Sequence, residues 1–176
     1  MAVGDFYAGA LQPVFHVESL LLLLALALWA GQRGEPLMWR APSAFLAAAL
    51  LGAAAGVAGM PLPGSVWMAR GAALGWGLLV AARLSLPLSL TLLLAALAGL
   101  AHGHQATFGE AGAISRPVLY VLGMEVGIAL LTFHVVRPIR RFQGFAIQVG
   151  VRVAGSWIAT ITLLVTAFAL VGPPSG

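Results

Sequence analysis

Cysteine is absent from all 176 residues, which removes disulfides, thiolate metal sites and cysteine nucleophiles at once. Lysine is absent too: the nine basic residues are all arginine, set against five acidic ones. Charged residues make up 8% of the chain, where a soluble domain carries roughly 25%. No glycine-rich loop of the kind that cradles a nucleotide's phosphates is present, so the chain offers no hydrolysis of ATP. Nor does any nucleophile stand with a base, and the sequence reads as non-enzymatic, with no catalytic residues. The start of the chain lacks the basic n-region and short apolar stretch of a cleaved signal peptide.

Apolar residues dominate what remains. They make up 61% of the chain, and mean hydropathy is +1.00, which excludes a water-soluble fold. A spanning helix takes about 20 residues, so the chain divides into about six spans joined by short connectors. The expected fold is all-α, a polytopic membrane protein with one helical bundle in a single domain over residues 1–176. The expected spans are residues 14–30, 43–59, 65–82, 88–104, 117–136 and 145–171. Met60-Pro61-Leu62-Pro63-Gly64 supplies one tight turn, Pro117 suits a first helical position, and Pro173-Pro174 is expected to stop the last span. The formal charge of +4 and isoelectric point near 11.2 fit arginines facing anionic lipid, not nucleic acid.

Glycine pairs at i, i+4 recur in four spans: Gly52/Gly56, Gly71/Gly75, Gly99/Gly103 and Gly123/Gly127. Such pairs let helix backbones approach closely in lipid, and all four are expected to be packing devices. The arginines set the orientation. Connectors one-two, three-four and five-six hold Arg33, Arg40, Arg83, Arg137, Arg140 and Arg141, against Arg116 and the embedded Arg70 on the other side. The positive-inside bias makes the first side cytoplasmic, so both termini are expected in the periplasm of a bacterial inner membrane.

Ionisable groups inside lipid are functional candidates by default. His16 and Glu18 fall at the outer start of the first span, His102 and His104 at the outer end of the fourth, and Glu110 in the loop that follows. Glu125 falls about two turns below the outer end of the fifth span, and only His134 lies near the inner side. Imidazole and carboxylate suit borderline divalent metals such as nickel, cobalt or zinc. His16, Glu18, His102, His104 and Glu125 are therefore the candidate metal ligands. Residues two apart on a helix point about 200° apart, so His16 and Glu18 share a site only where the helix is irregular, and the same holds for His102 and His104. Arg70, at a similar depth, is expected to pair with Glu125 or Glu18. Arg152 is expected to snorkel or to tie helices together. Haem has no matched pair of histidines on facing helices.

With these residues in hand, the chain resembles the HupE/UreJ family of small membrane proteins. The likeness runs through Leu-Trp-Ala-Gly-Gln at residues 28–32, the Leu-Pro-Gly turn at 62–64 and the glycine-rich stretch from Gly75 to Pro87. It closes on Ala101-His102-Gly103-His104, similar to the family's Phe-His-Gly-His-Ala-His-Gly segment. Gln12 to Leu20 aligns with a family pattern His-Pro-x-x-Gly-x-Asp-His-Leu. The resemblance implies nickel or cobalt uptake beside hydrogenase and urease, with metal bound by these two segments. Here Gln12 and Ser19 stand at histidine positions, Glu18 at the aspartate, His16 at the glycine and Ala106 at a further histidine. Glu110 lies one position beyond the family's acid. The implied function is permeation or handling of a divalent metal, Ni2+ or Co2+ as cargo, without a nucleotide motor or firm cofactor. The alternative is a diverged member kept as a structural or assembly subunit. Expected partners are membrane lipid and either a larger membrane complex or further copies of the chain.

Overall fold

The computed structural model describes residues 2–108 and 114–171, with side chains from Gly4 onward. Glu110 and the prolines at 173 and 174 lie outside the described residues. Seven helices are formed within them: α1 (Ala2–Phe15), α2 (Val17–Gly31), α3 (Leu37–Val57), α4 (Ser65–Ala82), α5 (Leu88–Phe108), α6 (Pro117–Arg141) and α7 (Phe145–Val171). Helices α3 to α7 are each long and apolar enough to cross a membrane, and a sixth span is reached when α1 and α2 are taken as one broken span. The chain is an all-helical membrane protein.

The first expected span differs most from its expectation. Residues 2–15 form a helix of their own, and α1 and α2 meet at His16 with a bend of 72°. Pro13 deletes one rung of the hydrogen-bond ladder just ahead of this break, and His16 takes an extended conformation (φ −98°, ψ 109°). α4 and α7 keep the expected limits, while three other helices run past theirs at one end. α3 begins at Leu37 and contains Pro42, α5 continues to Phe108, and α6 passes through Pro138 to Arg141. The span limits were drawn where polarity begins, but backbone hydrogen bonding does not stop at the edge of the hydrocarbon. The basic run that reads as a connector is thus the last turn of α6, where cations complement the helix dipole.

Glycine meshing holds two helix pairs together. On α5, a Cβ at Gly99 or Gly103 would overlap the carbonyls of Phe45 or Ala49 on α3; one at Gly52 or Gly56 would overlap Leu100 carbonyl or Thr107 hydroxyl. Thr107 adds an interhelical hydrogen bond, its Oγ1 donating to Ala53 O at 3.1 Å. α1 and α6 repeat the device through Gly9, Gly123 and Gly127. The Asp5 carboxylate accepts from the backbone N–H of Arg116 at 2.8 Å, so α1 is also tied to the residue that enters α6. The Gly71/Gly75 pair does not behave this way: nothing lies within 4 Å of a Cβ built at either residue. α4 instead packs through Gly77, where a Cβ would sit 3.0 Å from the Gly155 carbonyl on α7. Spacing identifies a face of small residues, but only tertiary packing decides which face meets a neighbour.

α2 is the central helix, with Leu22, Leu23, Ala25, Leu26 and Trp29 all but fully buried. Its end is stapled to the end of α4. Trp29 packs edge-on against Trp76 and its Nε1 donates to Leu84 O at 3.0 Å; Gln32 Nε2 donates to Val80 O at 3.2 Å. Arg33 donates to Leu84 O as well. Burial, and secondarily the nearby Arg83, hold the Arg33 guanidinium below its ordinary pKa, as expected where arginines crowd one end of a bundle. α7 forms the rim, with Phe145, Trp157 and Phe168 turned outward as lipid-facing residues are.

Candidate functional site

The break between α1 and α2 opens a cavity of about 380 Å³, lined by Gln12, Phe15, His16, Val17, Glu18 and Ser19 from the break, Gln105 and Ala106 from α5 and Tyr120 from α6. A regular helix would turn His16 and Glu18 away from each other. The extended residue at the break removes that restriction, and both face the cavity. His16 donates from Nδ1 to Gln12 O at 3.2 Å. A backbone carbonyl thus orients the ring through Nδ1, as such partners commonly do for metal-binding histidines, and leaves Nε2 as the nitrogen available to a metal.

Gln12 Nε2 donates to Ser19 Oγ at 3.2 Å across the break. Residues 12 and 19, seven apart in sequence, thus touch beside His16 and Glu18. Glu18 is held from its other side by Arg70 on α4, whose Nη2 lies 2.8 Å and Nε 3.3 Å from the same carboxylate oxygen, Oε1. It is the ion pair found among the described residues. Of the two expected partners for Arg70, Glu18 is the one it meets.

The α5 histidines point to different places, as their spacing requires. His102 is buried against Phe45, one turn below the cavity-lining Ala106 on the same face of α5, and its Nε2 has no hydrogen-bond partner among the described residues. His104 turns to the connection between α3 and α4, donating from Nε2 to Met60 O at 2.9 Å and stacking on Phe108. It does not line the cavity. Glu125 lies further along α6 than Tyr120, and its Oε1 is buried without a hydrogen-bond partner among the described residues. His134 is exposed, its Nδ1 donating to Leu130 O. Arg152 donates from Nε to Ala81 O, tying α7 to α4.

The structure therefore brings together His16, Glu18, Gln12 and Ser19, with His102 close behind, and leaves His104 apart. Among the described residues, no three His, Asp or Glu side chains form a group able to hold a metal ion by themselves. Gln105 and Tyr120 were not foreseen as lining residues. Gln105 next to His104 carried a weak signal, being an amide in the polar end of α5.

Comparison with known proteins reaches the same family. No solved structure matches the chain. The chain is similar to "Protein HupE" of Rhizobium leguminosarum bv. viciae, with 31% identity over 163 residues, covering 86% of this chain and 79% of that one. The family model described as "HupE / UreJ protein" matches residues 1–165. With that extent of match, the chain belongs to the HupE/UreJ family.

Proposed function

We propose that this chain is a permease for a divalent transition metal, nickel or cobalt, acting in the bacterial inner membrane with both termini in the periplasm. The observation that carries the reading is the cavity at the α1–α2 break, where an imidazole and a carboxylate share one wall within a membrane protein of this family. Those two ligand types suit a borderline divalent ion, and Ser19, Gln12 and water supply further oxygens. His102 stands next inward. Further buried polar atoms without protein partners among the described residues are Glu125 Oε1 on α6, Thr91 Oγ1 on α5 and Gln32 Oε1 at the end of α2. Such atoms are costly in lipid, and they fit a path that holds water or a passing ion. Thr91 and His102 are 11 residues apart, about three turns, and so share one face of α5. The role is transport and involves no covalent chemistry. Uptake of radioactive nickel or cobalt by cells should fall severalfold or more for Glu18→Ala, His16→Ala and His102→Ala at unchanged membrane abundance. Normal accumulation in all three would sink the reading.

A second reading is favoured by one observation. No three-ligand group forms among the described residues, as expected of a diverged member serving as a structural or assembly subunit of a larger membrane complex. Under that reading the protein extracted in mild detergent carries other subunits at fixed stoichiometry. Under the permease reading it runs alone or as a homo-oligomer.

A further inference from the structure

Arg70 and Glu18 pose a problem for any cation entering the cavity. Glu18 is the acidic residue of the cavity wall, and a guanidinium already neutralises it. The side from which Arg70 arrives matters. Glu18 lies between two spaces: the cavity at the break, and a narrow crevice of about 10 Å³ between α2, α4 and α7 that Arg70 lines with Ala69 and Thr162. Arg70 is absent from the cavity wall and reaches the carboxylate from the crevice side. Both of its contacts fall on Oε1, so it makes none with Oε2. The same guanidinium also lies over the Trp67 ring, 5.4 Å from its centre, a contact that attracts a cation and does not depend on the carboxylate.

We infer that Arg70 is a tethered competing cation, a specificity-determining residue that holds Glu18 until a divalent ion displaces it. This rests on the permease reading. A monovalent ion arriving at Glu18 brings the same charge as the guanidinium, which is already there, covalently tethered and hydrogen-bonded, so it gains nothing by exchange. A divalent ion brings twice the charge and displaces the guanidinium from Glu18 Oε1, while the Trp67 contact it already makes keeps it held. The same competition keeps divalent affinity low enough for release, as conduction through a binding site requires. Removing Arg70 leaves the carboxylate without its counter-charge beside the cavity, so the freed Glu18 becomes a stronger cation site.

The test is equilibrium binding of Ni2+ to the purified full-length protein in lipid nanodiscs, with Na+ exchanged for N-methylglucamine at constant ionic strength. Wild-type binding is expected to be weak and indifferent to Na+. Arg70→Gln should bind Ni2+ at least tenfold more tightly and become inhibited by Na+, and Glu18→Gln added to it should abolish both changes. Binding by Arg70→Gln equal to or weaker than wild type, with unchanged elution and melting, would overturn the proposal while leaving the permease reading in place. So would a gain that persists in the double variant. Absence of Ni2+ binding by wild type and every variant would overturn the permease reading and this inference with it. If Arg70→Gln does not accumulate, Arg70→Lys carries the test: an ammonium loses the two-pronged contact, and a severalfold gain with partial Na+ sensitivity is expected. No gain there counts against Arg70.

Discussion

At the scale of single residues, the vestibule depends on positions whose identity changes chemistry without changing shape. Gln12 and Ser19 touch across the break. Imidazoles at both positions would therefore stand beside His16 and Glu18 in one cavity. The double variant Gln12→His, Ser19→His is expected to bind Ni2+ at least tenfold more tightly than wild type, with each single variant gaining less; titration calorimetry checks it, and no gain in the double would mean the two side chains do not face a common ion. Thr107 is a purely structural counterpart. Its hydroxyl bridges α5 to Ala53 O on α3, and interhelical bonds of this kind in membranes average about 0.6 kcal/mol. Thr107→Val should lower the melting midpoint slightly and leave metal uptake alone.

At the scale of helices, two glycine sets with the same spacing should respond in opposite ways to one substitution. Gly103→Ala drives a methyl into the Ala49 carbonyl, and overpacking of this kind costs about 1–3 kcal/mol. Gly71→Ala and Gly75→Ala meet open space and should be neutral or stabilising, since alanine is the better helix former by roughly 0.5–1 kcal/mol. Thermal unfolding in detergent compares the three directly. The α1–α6 pair has its own test. Asp5→Ala removes the hydrogen bond to the start of α6, worth about 0.5–1.5 kcal/mol, and α1 should then become more accessible to protease added from its own side of the membrane. A protease-resistant Asp5→Ala variant would show that the glycine mesh alone suffices to dock α1.

At the scale of the whole molecule, the arginine distribution is the observable. Six arginines at one end against two at the other lead us to expect a cytoplasmic α6–α7 connection. In intact spheroplasts, cysteine at position 140 should resist an impermeant thiol reagent and cysteine at position 115 should react; the native chain has no cysteine to interfere. The reverse pattern would place the vestibule on the cytoplasmic face and turn uptake into export.

Composition and hydropathy by themselves determined that the chain is an all-helical membrane protein, because a backbone surrounded by lipid must satisfy its hydrogen bonds internally, and a helix does so whatever its neighbours are. Together with the segments around His16 and His102, they also carried the family. The sequence left open which side chains converge. Helical periodicity separates His16 from Glu18 and His102 from His104, and it held for the second pair, where α5 is regular. It failed for the first, where the ladder breaks after Pro13 and one extended residue realigns both side chains. Likewise, i, i+4 glycines marked four faces of equal promise, and packing used three of them. A local pattern records what a helix can present. Only the assembled bundle decides what stands opposite, and so which of two carboxylates Arg70 meets.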